Sequence, residues 1–401
     1  MKNRNVLVTS GWLRSSYAVM RSLTAHGVSV YSADVSRIGM CQWSFKNKGH
    51  SIYRSHYESE DEFISDLLSI VQKNDIGLIF SSHDETEIIA KYRHFFPEGV
   101  CDLIPKYEHC ELLNNKKLRY DLAEILEIIT PKRLKYNEPN EILKFDNKFG
   151  SGSFVVKLLK GNSSKGVFHC EDCNQTFNKV CELTKKYNLS AERMPQIEHS
   201  VPGVGWGHSV LYWQGKKIAE FSHKRVLEKI ESGGTSTVRR SAKNSSIMLA
   251  TNKIFDHLEY NGFAMTEFKV FEENNEFWFI EVNPRLWGSL PLAVAAGMDF
   301  PYAAYLCAIY GPDKAKEFVS EEHVYDNWYA KWVLGDIFRS ISSAFKYGIF
   351  QKRVKTKRLN INSYDDLFLD DPFVFFGQMF RYIKNAINTK STNPEIKGMV
   401  K

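Results

Sequence analysis

One stretch, GFAMTEFKVFEENNEFWFIEVNPRLWGS at residues 262–289, constrains most strongly how this 401-residue chain can fold. Its apolar positions lie either side of Glu273-Asn274-Asn275, the pattern of two antiparallel strands joined by a polar turn. A turn at those three residues sets Glu267 directly opposite Glu281, at a side-chain spacing of roughly 4.5–5.5 Å. Two like charges facing each other among Phe, Trp, Ile and Val repel unless something positive sits between them. Asn283 lies two residues beyond Glu281 and shares its face. Two carboxylates and an amide oxygen form a hard-oxygen set suited to Mg²⁺, which takes few protein ligands and adds substrate phosphates. On this reading the repulsion is offset only with metal bound. The alternative is a solvated strand edge, and the choice turns on whether the chain also supplies a nucleotide site.

A chain of this length needs two or three domains. Apolar residues make up 43% and charged residues 25%, a globular balance. No segment approaches the roughly 20 uninterrupted apolar residues of a membrane span. The apolar run in MKNRNVLVTSGW is too short for a signal peptide, so a cytoplasmic location is expected. The seven cysteines are odd in number and scattered, with Cys170 and Cys173 as the one CxxC pair, and they read as reduced thiols. A net charge of +6 argues for anionic small molecules no more than for nucleic acid.

Residues 5–34 run strand, Gly11 turn, helix, strand. The turn TSGWLRSS lacks the G-x-G-x-x-G that admits a pyrophosphate, which favours an architectural α/β unit over a dinucleotide site. A further helix and the buried strand IGLIFSS continue the alternation of a parallel sheet. His83-Asp84-Glu85 follow that strand, either as substrate contacts or as an N-cap with first-turn acids. Residues 112–130 are expected as one amphipathic helix stopped by Pro131. In SGSFVVKLLKGNSSKGVFHC, two strands flank a Gly/Ser loop able to present N–H groups and hydroxyls to phosphate. Lys157 sits within the apolar strand, where a phosphate would supply the missing counter-charge. A hinge at PQIEHSVPG leads into two strands around Gln214-Gly215. Next comes the polar loop ESGGTSTVRRSA, with Lys224, Arg225, Arg239 and Arg240 near its ends, a composition suited either to a lid closing on phosphates or to a solvated loop. Past Pro291, a helix, a Gly-Met-Asp turn and a second buried helix are expected.

Read in order, these pieces resemble the ATP-grasp superfamily, above all its carbamoyl-phosphate-synthase-like and D-alanine–D-alanine-ligase-like members. The resemblance covers about residues 5–310 and is carried most specifically by EVNPRLWGSLPLAVAAGMDFP. It implies a mixed α/β and α+β fold. A Rossmann-like pre-ATP-grasp domain (1–112) precedes a small ATP-grasp subdomain (113–194) and a catalytic subdomain (195–320), with a helical basic extension at 321–401. By the same resemblance, Lys116 at a helix start touches phosphate, with Pro131 at the family's expected distance. Lys157 spans the adenine side and α-phosphate, and Ser163, Ser164, Gly166 and Val167 cover the β- and γ-phosphates. Glu198 and Val201 belong to the adenine hinge. Glu267, Glu281 and Asn283 resemble ligands of two Mg²⁺ ions, for which Mn²⁺ can substitute. Arg285 resembles the cation that steadies an acyl-phosphate transition state, with Lys224, Arg225 and Arg239 beside it. The chain departs from the pattern at Val204-Gly205, where relatives carry a carboxylate for the ribose.

The implied activity is ATP-dependent ligation: a carboxylate is activated as an acyl phosphate and then captured by an amine. The implied partners are a carboxylate and an amine, with no nucleic acid and with a homodimer common among relatives. Two other readings remain, a kinase-like phosphotransferase and a nucleotide-binding scaffold acting through its tail. That tail, beyond residue 320, holds two amphipathic helices and the cluster Lys352, Arg353, Lys355, Lys357 and Arg358. It is expected either to pack on the body or to touch an anionic membrane surface peripherally. The last dozen residues read as disordered.

Overall fold

The computed structural model describes residues 4–145, 152–159, 166–228, 235–319, 324–347 and 359–389. The first sheet is built by β1 (Asn5–Val8), α1 (Arg14–Ala25), β2 (Val30–Asp34), β3 (His50–Ile52), α2 (Glu60–Lys73), β4 (Ile76–Phe80) and α3 (Glu85–Lys91). It is parallel throughout, in the order β3-β2-β1-β4. Its central strands are apolar on both faces, as a sheet covered on both sides requires. Strand order reverses beside β1, so a crevice opens at the carboxyl ends of β1 and β4. Asp34 at the end of β2 accepts from the Trp12 backbone N–H at 3.0 Å, and its other oxygen lies 3.5 Å from Arg381 of the C-terminal helix. Asp34 thus ties the glycine turn to β2 and to the C-terminal helix.

Where one helix over 112–130 was predicted, there are two, α4 (Tyr107–Asn114) and α5 (Lys116–Ile125). Asn115 leaves helical geometry, and its side chain accepts from the Lys117 and Leu118 N–H groups. It caps a new helix, with Lys116 at its first position. The second sheet comprises β5 (Arg133–Leu134), β6 (Phe154–Lys157), β7 (Val167–Cys170) and β8 (Gln196–His199), in the order β5-β8-β6-β7. Helix α6 (Cys173–Tyr187) packs on it. Cys170 and Cys173 are both buried in this unit's core and unbridged.

The third sheet holds β9 (Val204–Trp213), β10 (Lys216–Glu228), β11 (Ser236–Ser241), β12 (Gly262–Phe271), β13 (Glu276–Asn283), β14 (Tyr329–Lys331) and β15 (Ser363–Tyr364). Their order is β13-β12-β9-β10-β11-β14-β15. Gln214 and Gly215 both take positive φ, 49° and 78°, as a two-residue hairpin turn matched to strand twist requires. Helix α7 (Ser245–His257) covers this sheet. The expected helix–turn–helix is present as α8 (Leu290–Ala295) and α9 (Phe300–Tyr310), and Asp299 caps the second by accepting from the Tyr302 N–H. Helix α10 (Pro312–Phe318) follows.

The C-terminal part, α11 (Val333–Tyr347), β15 and α12 (Phe373–Thr389), is fastened to the body by acids. Asp365 pairs with Arg14 and Arg239, and Asp366 accepts the Val333 and Leu334 N–H groups at 3.0 Å. Asp370 pairs with Arg21 and Lys46 at 3.0 Å. Asp371 accepts from Tyr17 at 3.0 Å and from the Phe45 N–H at 3.1 Å. The basic cluster 352–358 and the last dozen residues lie outside the described residues. Among the described residues, no helix is long and apolar enough to cross a membrane.

Candidate active site

Strands β12 and β13 pair Glu267 with Glu281 and Met265 with Asn283, the register expected from sequence. The route differs. The turn takes four residues, Glu272–Asn275, and Phe271 pairs with Glu276. A bulge at Ile280 then restores the opposition of the two carboxylates. The bulge also frees the Ile280 carbonyl, which accepts from Arg119 at 3.3 Å.

The expectation that only a metal offsets the carboxylate pair is corrected by two arginines. Arg225 on β10 pairs with Glu267 and, at 3.3 Å, with Glu228, while Arg119 lies 3.7 Å from Glu281. Arg225 reaches Glu267 across the intervening strand β9, and glycine makes that passage. A Cβ on Gly205 would stand 2.8 Å from the Arg225 side chain, and one on Gly207 would collide with the His223 ring at 2.3 Å. Gly205, over which Arg225 passes, is one of the two residues, Val204-Gly205, at which the sequence departs from the expected pattern.

The two carboxyls are driven apart in acidity. Burial pushes Glu267 up to about 7, with Glu281 and Glu228 adding to the rise and Arg225 opposing it. Burial alone would raise Glu281 as well, but Arg119, Lys116, Lys157 and Arg225 together hold it below the ordinary carboxylate range. The cations around Glu281 favour its ionised form, whereas burial and the neighbouring carboxylates oppose ionisation of Glu267. Among the described residues, no three His, Cys, Asp or Glu side chains form a metal cluster. The donor set is Glu267, Glu281 and Asn283, with Asn283 Nδ2 3.5 Å from Glu267. Such a set fits Mg²⁺ sharing its shell with phosphate oxygens, a use also suited by the near-neutral Glu267.

Helix α5 and strands β6 and β8 supply the cations. The Lys116 N–H donates to Leu159 at 3.0 Å, which ties the start of α5 to the end of β6. Lys157 is buried and pairs with Glu198. Its Nζ also lies 3.4 Å from the Tyr120 hydroxyl, and Gln196 donates to Glu198 at 3.1 Å. Arg119 and Tyr120 escaped the sequence reading. Their signal was present in the i, i+3, i+4 spacing that stacks Lys116, Arg119 and Tyr120 on one helix face.

Burial lowers Lys116 to about 7, helped by Arg119 and Lys157 and opposed by Glu281 and Glu198. Between about pH 7 and the ordinary value of 10.5, the unfolded chain binds more protons here than the folded one, so stability rises with pH across that window. In the absence of nucleotide and metal, Lys116→Met should flatten that rise and stabilise the neutral protein, by up to a few kcal/mol. Urea midpoints measured against pH check this, and an unchanged slope would contradict it.

Arg285 lies 3.7 Å from Asp84, which also accepts from Tyr57 at 2.9 Å. Asp84 makes no capping bond to α3, so of its two expected roles the cap is excluded. Glu85 is buried and bonded to Ser10 at 2.5 Å and Tyr53 at 2.7 Å. Lys224 pairs with Glu272 at 2.5 Å. From Ser236 onward the expected lid is strand β11. Arg239 lies fully buried there, bidentate to Asp365 at 2.6 and 2.7 Å, away from solvent because the C-terminal segment closes over it. Gly166, at φ 75°, precedes β7, which begins at Val167 opposite Lys157. Val201 lies in the β8–β9 connection. Ser163 and Ser164 lie outside the described residues.

Residues 220–309 match the family described as the carbamoyl-phosphate synthase L chain, ATP binding domain. Pyruvate carboxylase of Bacillus subtilis (strain 168) is 25% identical over 240 residues, covering 56% of this chain and 20% of that protein. Phosphoribosylamine–glycine ligase of Archaeoglobus fulgidus is 21% identical over 164 residues, covering 40% and 34%. The chain thus spans a minor part of the curated relatives it matches. Among solved structures, the biotin carboxylase domain dimer of Hydrogenobacter thermophilus 2-oxoglutarate carboxylase, in complex with MgADP, ADP and bicarbonate, has a TM-score of 0.64 at 13% identity. That match covers 82% of this chain and 74% of that one. Biotin carboxylase from Campylobacter jejuni has a TM-score of 0.63 at 13% identity, covering 81% and 74%. The matched segment and the shared fold bear out the resemblance to the ATP-grasp superfamily. The matched residues run from within β10 into α9, so the similarity to that ATP binding domain falls on part of the third sheet and the helices after it.

Proposed function

We propose that the chain is an ATP- and Mg²⁺-dependent ligase that activates a carboxylate as an acyl phosphate and joins it to an amine, releasing ADP and phosphate. One observation carries the reading. Glu281 of the hairpin shares a single electrostatic cluster with Arg119, Lys116, Lys157 and Arg225, so metal-type donors and phosphate-type cations meet in one place. Lys116 and Lys157 would neutralise phosphate oxygens, with binding restoring the charge that burial takes from Lys116. Glu267, Glu281 and Asn283 would hold Mg²⁺, which when bound supplies charge neutralisation and template geometry to the phosphates. Arg285 pairs with Asp84 just past the carboxyl end of β4, a position suited to an anionic acyl group, and Asp84 beside it suits an ammonium. A carboxylate oxygen attacks the γ-phosphorus and ADP leaves; the amine then attacks the acyl carbon, phosphate leaves and the amine loses a proton. The name of the archaeal relative pairs an amine with an amino acid, and the Hydrogenobacter domain was solved with MgADP and bicarbonate. Both support an oxyacid activated by ATP. That domain is a dimer, which supports a homodimer here.

ADP release, measured for carboxylates crossed with amines and followed by mass spectrometry, tests the proposal. Release that needs both components and yields their condensation product supports it, whereas a stable phosphorylated product formed without amine favours a phosphotransferase. MgATP should also raise the melting temperature more than ATP or Mg²⁺ alone.

A further inference from the structure

Helix α12 is apolar on the side turned away from the body. Its inner face is well used. Val374, Gln378 and Arg381 are buried, a Cβ on Gly377 would lie 2.4 Å from the Gly39 carbonyl oxygen, and Gln378 accepts from the Trp332 indole at 3.2 Å. Phe373, Phe376, Phe380, Ile383 and Ile387 recur at spacings of three and four on the opposite side, and 43–75% of each is exposed. A surface helix should be polar there. The stripe continues onto the first domain, where Phe45 meets Phe373 with ring centroids 5.4 Å apart and Trp43 meets Phe380 at 5.6 Å. A contiguous apolar surface of this kind marks an interaction site.

Charge selects the occupant. Residues 333–394 contain ten Lys and Arg against five acids, Asp336, Asp365, Asp366, Asp370 and Asp371. Every one of those acids is already engaged. Asp336 pairs with Lys331 and Arg339 at 2.7 and 2.8 Å. Asp365, Asp366 and Asp371 are buried against Arg239, backbone N–H groups and Tyr17, and Asp370 holds Arg21 and Lys46. From 372 to 394 no acid occurs, and exposed Lys384 borders the stripe. The same anchoring that fixes the segment to the body thus takes up its negative charge; Arg339 and Arg381 are paired with Asp336 and Asp34, which leaves an aromatic stripe bordered by exposed Lys384. Phenylalanines flanked by lysines are the composition of a helix lying in the interface of an anionic bilayer, apolar side chains among the acyl chains and cations at the headgroups.

We infer that the outer face of α12 docks this protein, as a peripheral protein, on an anionic phospholipid surface. The inference is independent of the chemistry proposed above. Flotation of the full chain with vesicles of phosphatidylcholine alone, and of phosphatidylcholine mixed with phosphatidylglycerol, tests it. Binding to the anionic vesicles should weaken as salt rises and should be absent from the neutral ones. The double substitution Phe376→Ser/Phe380→Ser should lower partitioning by about tenfold or more. Lys384→Glu, which keeps the stripe and alters one exposed residue, should lower it severalfold. Melting temperatures matching the parent show that the variants are folded, and if the double variant fails this check, Lys384→Glu alone decides. Equal binding to both vesicle types, or binding to neither, overturns the inference. So does a concentration-dependent dimer that the stripe substitutions dissolve, since a second copy would then cover the face.

Discussion

Glu281→Gln is expected to lower ADP release by about a hundredfold or more, since the charge stabilisation lost is several kcal/mol at roughly 1.4 kcal/mol per decade. The reason lies in the company Glu281 keeps. Arg119, Lys116, Lys157 and Arg225 all act on it and hold it ionised against burial. Removing its charge takes from Arg119 and Lys116 the carboxylate that acts on both, while Lys157 keeps Glu198 and Arg225 keeps Glu267. Lys116 should then fall below its already lowered value of about 7, because Glu281 is one of the groups that oppose the fall. The variant should therefore lose both its Mg²⁺ dependence and the extra melting-temperature gain from MgATP over ATP. Because the substitution also takes a counter-charge from Arg119, the melting temperature of the ligand-free variant is measured beside turnover, so the two effects separate. Full turnover at saturating Mg²⁺ would remove Glu281 from the metal site and with it the basis of the ligase reading.

How far this was legible in sequence depends on the distance over which each residue finds its partner. Opposition of Glu267 and Glu281 is a local property of one hairpin, and it survived an error in the turn because the bulge at Ile280 compensated the extra turn residue. Helix starts were also local, although Asn115 broke a run whose apolar spacing reads as continuous. Partners across strands were not legible. Nothing near Arg225 in sequence says that Gly205, on a different strand, clears its way to Glu267. The carboxylate that pairs with Lys157, Glu198, sits on β8, 41 residues away in the chain but adjacent in the sheet, so sequence offered a phosphate alone as counter-charge. Arg239 was misread for the same reason at greater range. An arginine beside Gly, Ser and Thr suggests a lid until a segment more than a hundred residues later contributes β15 and Asp365.

That last pairing yields the largest expected effect on stability. Asp365 is buried between Arg14 and Arg239, and the Arg14 guanidinium also lies 4.0 Å over the Trp332 ring. Asp365→Asn leaves two buried guanidinium groups without their shared counter-charge and should destabilise the fold by roughly 3–5 kcal/mol. Arg239→Met removes one cation while Asp365 keeps Arg14, so it should lose less, about 1–3 kcal/mol. The double variant should fall short of the sum by about 1 kcal/mol or more, as expected for groups in contact. Denaturant midpoints at fixed pH measure all three. Turnover separates this account from the phosphate role that the sequence suggested for Arg239. A buried structural arginine predicts that folded Arg239→Met stays within about tenfold of parent activity, because Arg225, its cross-strand neighbour, still holds Glu267. Unchanged stability with about a hundredfold loss of activity would return Arg239 to the phosphates.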